Sequence, residues 1–315
     1  MKGGKLDDPD GALLKLLRLL GSRGYRFVTP TPLTHARIVA RRSPPSAASL
    51  RDVLGWSLPF ARDLLDEEVM RLLTEAGVID DTRDGLRSVV RISSLQDRLF
   101  VHSAYPTASA DSVFFGPDSY RFADLVMREI GADARTGLRI VDIGTGAGVG
   151  AILAACLKPH SQVTMTDINP EALRLARVNA LAAGALVEAR EGPGLAGISE
   201  PIDVAMINPP YIVDCAERTY RDGGGMRGAE LSLELAEEAL AALAPGGRLV
   251  LYTGSAIVDG IDQLKGEMAE RAERLGYAMR YWEIDPDVFG EELDKPQYEE
   301  VERIAVVAAV VTRPA

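Results

Sequence analysis

Four consecutive residues in the second half of the chain have the types needed to hold a planar NH2 group. They are Asn208, Pro209, Pro210 and Tyr211. The two prolines remove backbone donors and stiffen the chain, so their carbonyls stay free to accept hydrogen bonds, and the Asn208 amide adds a side-chain carbonyl. Two acceptors at a fixed spacing can grip both hydrogens of one NH2 group, while the Tyr211 ring offers a flat face for stacking.

An amide or aromatic-amine nitrogen is a poor nucleophile because its lone pair is delocalised. Acceptors that hold both hydrogens can pyramidalise the nitrogen and aim its lone pair at a donor, so that orientation supplies much of the rate. The same acceptors stabilise positive charge as it develops on the nitrogen. The tetrapeptide therefore predicts group transfer to an NH2 nitrogen that needs no general base before attack.

A glycine-rich turn upstream could bind the donor. Asp142 is followed by Gly144, Thr145, Gly146 and Gly148, and glycines between a first strand and a first helix let a ligand approach the backbone closely. The spacing also fits a dinucleotide fingerprint, but a carboxylate before the first glycine would repel a pyrophosphate. Asp142 could instead face an ammonium group or fix the loop. A turn needed only for strand-to-helix geometry is the structural alternative.

The next predicted strand ends at Asp167, followed by Ile168. A carboxylate at this position can accept both hydroxyl protons of a ribose. The glycine turn and Asp167 together predict a nucleoside-containing cofactor at adjoining strand ends.

These motifs resemble those of class I S-adenosylmethionine-dependent methyltransferases. The stretch from Asp142 to Gly148, followed by Asp167, resembles their first two motifs. The tetrapeptide resembles the NPPY motif of amino and amide N-methyltransferases, among them adenine-N6 enzymes and the glutamine-N5 enzymes that act on peptide release factors. The resemblance covers roughly residues 112–255 and implies S-adenosyl-L-methionine as the cofactor. It implies that the glycine loop passes beneath the methionine and ribose, that Asp167 holds the ribose hydroxyls, and that Asp142 helps to hold the methionine end.

The resemblance implies further cofactor-binding positions. An acidic residue after the third strand often meets the adenine amino group in this superfamily, which points to Glu191 beside Gly192, although a tight turn with no ligand role is equally compatible. A Pro-acidic element before the first helix of the domain implies Phe115 and Pro117. The predicted cofactor-binding residues are Asp142, Gly144, Thr145, Gly146, Gly148, Asp167, Ile168, Glu191, Gly192, Asn208, Phe115 and Pro117, and the predicted catalytic residues are Asn208, Pro209, Pro210 and Tyr211.

Strand and helix patterns alternate through residues 109–315, the predicted methyltransferase domain. Predicted strands cover residues 137–144, 162–168, 185–190, 202–207, 248–254, 277–284 and 303–312, and predicted helices cover 148–158, 170–184, 229–243 and 259–276. This order predicts an α/β fold with a Rossmann-like, doubly wound, seven-stranded and mostly parallel sheet that ends in an antiparallel hairpin. The motifs then fall at the carboxyl ends of parallel strands, where such folds bind ligands.

Residues 1–108 form the predicted N-terminal domain, with a linker-like boundary at 103–112. Helical patterns at 50–57 and 67–79, followed by short β-rich runs at 86–94 and 97–103, predict a mainly helical, winged-helix-like module. The second helix is expected to stop at Gly77. It lacks a basic face, since Glu67, Glu68 and Glu75 oppose only Arg71, which favours substrate positioning or packing over reading DNA. A leucine-rich amphipathic helix at the N-terminus is expected to pack on the chain rather than on a membrane surface.

Amino-acid composition indicates where in the cell the protein is located and which classes of partner it disfavours. Cys156 and Cys215 are far apart, and so are the three histidines, which indicates a reducing cytoplasm, no disulfides and no metal site. No apolar run reaches the length of a membrane span.

The net charge of -11 disfavours general binding of nucleic acid. The charge is uneven, since residues 1–110 carry 16 basic and 13 acidic side chains whereas residues 111–315 carry 19 and 33. Either a polyanion would meet the first part before the second, or the difference is only one of solvated surface.

An acidic stretch in the last hairpin, residues 283–302, has nine carboxylates against Lys295. It is either solvated surface or one wall of a substrate cleft. The glycine run at 223–225 follows the tetrapeptide and is expected to be a mobile lid rather than a phosphate cradle.

Three kinds of acceptor remain open at this stage. A protein glutamine or ribosome-associated target is preferred, and an exocyclic base amine in RNA or DNA or a small metabolite are the alternatives. Two other classes of function are a cofactor-binding protein without catalysis, against which Asn208 and Tyr211 argue, and a nicotinamide oxidoreductase, against which Asp142 argues.

Overall fold

The computed structural model describes residues 8–42, 45–107, 109–214 and 221–315. Cys215 and the first seven residues of the predicted N-terminal domain lie outside these ranges. The α-helices are α1 Asp8–Ser22, α2 Pro32–Ala40, α3 Leu50–Leu54, α4 Glu67–Glu75, α5 Pro117–Gly131, α6 Val149–Leu157, α7 Pro170–Ala183, α8 Gly225–Gly228, α9 Glu230–Ala242 and α10 Gln263–Leu275. The strands are β1 Ile79–Thr82, β2 Gly85–Ser88, β3 Val90–Leu95, β4 Arg98–Ser103, β5 Arg139–Ile143, β6 Gln162–Asp167, β7 Glu188–Glu191, β8 Ile202–Ile207, β9 Leu243–Val258, β10 Ile261–Asp262, β11 Ala278–Asp285 and β12 Arg303–Thr312.

The central sheet has the strand order β11-β12-β9-β8-β5-β6-β7, with the short β10 paired to β9. Strands β5 to β9 pair in parallel, whereas β12 runs antiparallel to both β9 and β11. The predicted mostly parallel, seven-stranded sheet with an antiparallel last hairpin is confirmed.

Both faces of this sheet are buried, because successive side chains of a strand point to opposite sides. Ile140 and Met206 pack in one core with α5, α6 and α7, while the next residues, Val141 and Ile207, pack in a second core with α9 and α10. The apolar runs predicted as doubly buried strands therefore lie between two helical layers, as in a doubly wound fold.

The N-terminal region contains four helices and two hairpins among its described residues, and one of its predicted strands is divided. The predicted second helix ends at Glu75, and Gly77, the predicted stop, adopts a φ of +67° just beyond it. Residues 79–82 instead pair with Gly85–Ser88, so the run predicted as one strand is divided between two hairpins. The ribbon of β3 and β4 does turn at Gln96, as predicted.

Helix α1 packs on the rest of the chain. Leu13, Leu16 and Leu20 are fully buried in the core that also contains the α5–α7 side of the sheet. Asn179 of α7 exchanges hydrogen bonds with the backbone of Val101 at 2.8 and 3.0 Å. The N-terminal region is thus attached to the first layer of helices. Within the described parts of the chain, no helix combines the length and apolarity needed to cross a membrane.

Candidate active site

Three adjacent strands end side by side at the candidate site. Ile143 of β5 pairs with Ile207 of β8 on one side and with Thr166 of β6 on the other. The residues that follow these three are Gly144, Asn208 and Asp167. The sheet register therefore brings the glycine loop, the tetrapeptide and the ribose-binding candidate to one edge.

The glycine loop has a backbone that favours glycine. Gly144, Gly146 and Gly148 have φ angles of 67°, 54° and 87°, a region that side chains with a Cβ rarely adopt. Asp142 stabilises the loop from below, since its Oδ2 accepts hydrogen bonds from Thr145 Oγ1 at 2.5 Å and from the Ala151 amide at 2.9 Å.

Asp142 is almost fully buried, and this burial raises the pKa of its carboxyl to about 6 although both hydrogen bonds favour the charged form. Of the two roles considered for this residue, the structure shows the one in which it fixes the loop.

Asp167 lies at the end of β6 with its carboxylate partly exposed. Its Oδ2 accepts from the Gly146 amide and its Oδ1 from the Asn169 amide, both at 2.9 Å. Each carboxylate oxygen can accept a further hydrogen bond. The side chain is thus held in place by the loop while retaining acceptor capacity toward a ligand.

A cavity of about 280 Å³ lies over these strand ends. The predicted residues that line it are Gly144, Thr145, Gly146, Asp167, Ile168, Gly192, Asn208, Pro209, Pro210 and Tyr211. The predicted residues outside its lining are Asp142, Gly148, Glu191, Phe115 and Pro117. We refer to this space as the first cavity.

Phe115 and Glu191 are placed away from the first cavity for different reasons. Phe115 is buried and stacks on His102 of β4 with ring centroids 5.0 Å apart, and both Phe115 and Pro117 line a neighbouring cavity. Glu191 pairs with Asp167 in the sheet, but its side chain is exposed to solvent. The prediction placed Phe115 in the first cavity, but the residue before it, Phe114, lines this cavity instead.

The acceptor groups of the tetrapeptide are available to a ligand. Asn208 lines the first cavity, and its side chain makes no hydrogen bond with any described residue. The carbonyls of Pro209 and Pro210 likewise accept no hydrogen bond from the described part of the chain. Because polar groups that line a closed site normally find partners, these oxygens are suited to donors brought by a substrate.

Tyr211 is more deeply buried than the sequence predicts, with only 7 % of its surface exposed. Its ring packs edge-on against Phe289 at 5.9 Å and lies so close to Gly254 that a Cβ there would collide with it. Most of the ring is therefore covered by protein, and only part of its surface borders the first cavity.

The hydroxyl of Tyr211 lies beside the Asp118 carboxylate, and no hydrogen bond of regular geometry joins it to a described residue. Burial, and then the nearby Asp118 carboxylate, raise the pKa of Tyr211 well above its ordinary value. Asp118 itself accepts a hydrogen bond from the Tyr252 hydroxyl at 2.8 Å, and burial raises the pKa of its carboxyl. The Tyr211 hydroxyl is thus a neutral group next to a carboxylate at the edge of the site.

The lining of the first cavity also includes residues that were not among the predicted site residues, and Phe114, Asp118, Asn169 and Phe289 are examples. Asp118 and Asn169 each carry a local signal, since both are polar residues in the first turn or at the cap of a helix that starts beside the site. Phe289 carries none, because it comes from the last hairpin and reaches the cavity only through tertiary packing.

The glycine run after the tetrapeptide has a packing role. A Cβ on Gly223 or on Gly228 would collide with the backbone of Tyr211, and the Gly223 amide donates to the Ile212 carbonyl at 2.9 Å. Glycine is needed here because two backbone segments approach each other closely. The expectation of a mobile lid stays a prediction.

The acidic stretch contributes to a cleft. Asp285, Asp287 and Glu291 line the neighbouring cavity, which also borders Phe289 and Asp118. Asp285 is paired with Arg121 at 2.7 Å, whereas Asp287 and Glu291 form no ion pair with the described residues. Of the two interpretations of this stretch, the structure supports the cleft wall for these residues.

The surroundings of the first cavity suit a cationic nucleoside derivative. Asp118 and Asp167 place carboxylates on its wall, the glycine turn allows close approach, and Ile168, with half of its surface exposed, provides an apolar contact for a base. Histidine, cysteine, aspartate and glutamate side chains do not gather into a metal-binding group anywhere in the described residues.

The second half of the chain is similar to known proteins. Residues 122–257 match the family model described as "Methyltransferase small domain". The chain is 40% identical over 124 residues to a release factor glutamine methyltransferase of Deinococcus radiodurans, covering 36% of this chain and 44% of that protein. It is 34% identical over 139 residues to the enzyme of the same name in Koribacter versatilis, covering 40% of this chain and 49% of that protein. The chain thus spans about half the length of these relatives.

Solved structures share the fold at low identity. Trm5b from Pyrococcus abyssi aligns with a TM-score of 0.51 and 17% identity, over 72% of this chain and 56% of that one. A S-adenosylmethionine-dependent methyltransferase from Agrobacterium tumefaciens aligns with a TM-score of 0.50 and 16% identity, over 80% of each chain. M. jannaschii TYW2, solved in complex with AdoMet, aligns with a TM-score of 0.50 and 13% identity, over 71% of this chain and 87% of that one.

Proposed function

We propose that this chain methylates a planar NH2 nitrogen. The premise is that residues 122–257 form a methyltransferase small domain of the class I S-adenosylmethionine-dependent kind. The observation that carries the proposal is the unpaired Asn208 side chain, which lines the same cavity as the glycine loop and Asp167. A donor bound on that loop and an amine bound at Asn208 would therefore meet inside one enclosed space.

The chain's own residues supply positioning and electrostatic stabilisation. When bound, S-adenosyl-L-methionine supplies an electrophilic methyl group. Gly144, Gly146 and Asp167 would hold its nucleoside part, and the carboxylates of Asp118 and Asp167 favour its positive charge. Asn208 and the carbonyls that follow it would hold the two hydrogens of the acceptor amine, orient the nitrogen lone pair and stabilise positive charge on that nitrogen.

The preferred acceptor is a glutamine amide in a protein or ribosome-associated substrate. The names of the relatives in Deinococcus radiodurans and Koribacter versatilis support this choice. The unpaired carboxylates of Asp287 and Glu291 beside the site also favour a polypeptide with a nearby basic group over a nucleic acid. A cytoplasmic location fits such an acceptor.

Replacing Asn208 with alanine tests the proposal. We expect the rate of methyl transfer to fall by about 100- to 1,000-fold, the loss typical for one stabilising group in an active site. The affinity for S-adenosyl-L-methionine, measured by calorimetry, should change little. The exposed Gln162, at the far end of β6, provides a matched control, and Q162A should leave both quantities unchanged.

The acceptor class can be identified directly. Wild-type protein is incubated with cell extract and methyl-labelled cofactor, and the label is then followed into protein, RNA, DNA and small molecules. Label in protein that is absent with N208A supports the proposal. Label only in nucleic acid would overturn the preferred acceptor, and binding of NAD in place of S-adenosyl-L-methionine would overturn the reaction.

A further inference from the structure

A second cavity, of about 360 Å³, adjoins the first one. One of its walls comes from the N-terminal region, including His35, Arg91 and Tyr105, and the other comes from the loop before α5 and from the last hairpin. Phe114, Asp118, Arg221 and Phe289 border both cavities. A molecule bound in the second cavity could therefore reach the first.

Arg91 is an unusual residue for this wall. Only 4 % of its surface is exposed, yet it forms no ion pair with any described carboxylate. The guanidinium makes one hydrogen bond with the described residues, from Nη2 to His35 Nδ1 at 3.1 Å. Its Nε is buried without a partner. The rings of Phe27 and Tyr105 lie 5.8 Å from the guanidinium carbon.

Two other partly buried arginines of this protein, unlike Arg91, form ion pairs with carboxylates. Arg121 pairs with Asp285 at 2.7 Å, and Arg248 pairs with Asp133 at 3.0 Å. A buried charge is costly unless an opposite charge and hydrogen bonds compensate for it. Aromatic rings compensate only in part.

Arg91 nevertheless remains charged at neutral pH. Burial lowers its pKa to about 10, which still leaves the guanidinium protonated. The neighbouring His35 is neutral, since burial and then Arg91 lower the pKa of its imidazole to about 4. One cation with unused donors therefore faces the second cavity.

We infer that the second cavity binds the methyl acceptor through a carboxylate group that pairs with Arg91. The inference rests on the proposed function, because it assigns the end of the acceptor that lies away from Asn208. The guanidinium fork matches a carboxylate in two parallel hydrogen bonds.

The charge distribution of the second cavity sets the kind of anion and its position. Among the described residues that line this cavity, Arg91 is the one unpaired cation, and a single cation matches a monoanion better than a phosphate dianion. Asp287 and Glu291 lie on the hairpin wall and would repel an anion, so the carboxylate lies at the Arg91 wall. Asp285 and Arg121 neutralise each other, and Arg221 is already paired with Glu292.

Thermal unfolding of the full chain with acetate as the probe tests the inference. Sodium acetate, compared with sodium chloride at equal ionic strength, should raise the melting temperature of the wild type in a saturable manner. In R91M the acetate affinity should fall by about 10- to 100-fold, the effect of losing hydrogen bonds to a charged group. R91K keeps the charge and should retain part of the acetate effect.

A second readout separates binding from a structural role. Without acetate, R91M should melt at or above the wild-type temperature, because it removes an uncompensated buried charge. The matched variant R248M should melt lower, since it removes one of the two arginines that pair with the buried Asp133 and a hydrogen bond to the Glu129 carbonyl.

Three results would overturn the inference. The first is a wild-type melting temperature that responds equally to acetate and chloride. The second is a melting temperature that rises more with inorganic phosphate than with acetate, and the third is an acetate response that R91K and R91M both keep in full. If R91M does not fold, R91K and the wild type still decide between these outcomes. Failure of the proposed function would show itself separately, as a lack of binding or transfer from S-adenosyl-L-methionine while the acetate response persists.

Discussion

The two adjoining cavities are built in different ways. One wall of the first is formed by the loops at three strand ends, with glycines of positive φ and the Asp167 carboxylate held by amide hydrogen bonds. The second is formed by side chains from segments far apart in sequence, from Thr29 to Glu291. The first thus has the features of a site for a constant ligand, whereas the second has those of a site whose specificity can vary with its side chains.

Because the cavities differ in this way, we expect substitutions in different parts of the site to alter different properties of the enzyme. Changes at the strand ends should alter cofactor binding, changes at the shared wall should alter catalysis, and changes in the second cavity should alter recognition of the acceptor. A variant that mixed these effects would show that the two cavities act as one site.

The largest effect on cofactor binding is expected for Asp167→Ala. The substitution removes the acceptor for both ribose hydroxyls, and hydrogen bonds to a charged group make large contributions to affinity. We expect the dissociation constant for S-adenosyl-L-methionine, measured by calorimetry, to rise about 100-fold. Glu191→Ala provides the control, because this carboxylate is exposed outside the first cavity, and it should change the constant by less than about threefold. Equal losses in both variants would contradict the assignment.

Asp142→Asn should change how stability depends on pH. The pKa of Asp142 is about 6 in the folded protein, whereas an unfolded aspartate titrates near about 4. Between these values the folded state holds a proton that the unfolded chain has released, so this group's contribution to stability is lost as the pH rises from 4 to 6.

The asparagine variant cannot titrate at this position. The difference in unfolding free energy between wild type and variant should therefore change by about 2–3 kcal/mol across that range. Chemical denaturation at several pH values measures it. A constant difference would show that folding does not raise the pKa of Asp142.

Gly254→Ala tests whether Tyr211 must lie against this strand. The added Cβ would collide with the Tyr211 ring, so we expect a loss of about 1–3 kcal/mol in unfolding free energy, together with a lower kcat. Gly266→Ala is the matched control, because this exposed glycine of α10 has open space at its Cβ. It should stabilise the protein by up to about 1 kcal/mol and leave kcat unchanged.

The smallest effect is expected for Glu291→Gln in the second cavity. Its carboxylate is exposed and unpaired among the described residues, so its interaction with a basic group of the acceptor is weak. We expect the acceptor KM to rise about two- to fivefold and the cofactor affinity to stay the same. A change in cofactor affinity without a change in KM would contradict the division between the cavities.

The same contrast explains what could be predicted from the sequence. Gly144, Asp167 and Asn208 were predictable because local rules govern strand ends, and parallel strands bring their carboxyl ends together. Phe115 was assigned to the cofactor site from a neighbouring motif, but a stacking contact with His102 places it elsewhere. Arg91 and Phe289 could not have been assigned, since only the docking of the N-terminal region and the last hairpin brings them to a cavity.

The run at 86–94 shows a further limit of pattern reading. It was predicted as one strand, but it is divided between β2 and β3, which pair with different strands. Pairing between strands depends on partners that a local pattern does not contain.

A crystal structure with S-adenosylhomocysteine tests the central claim most directly. We predict that the ribose hydroxyls lie within hydrogen-bond distance of Asp167 and that the sulfur faces the Asn208 side chain across the first cavity. The claim is contradicted if the ligand binds elsewhere, or if Asn208 points away from the sulfur.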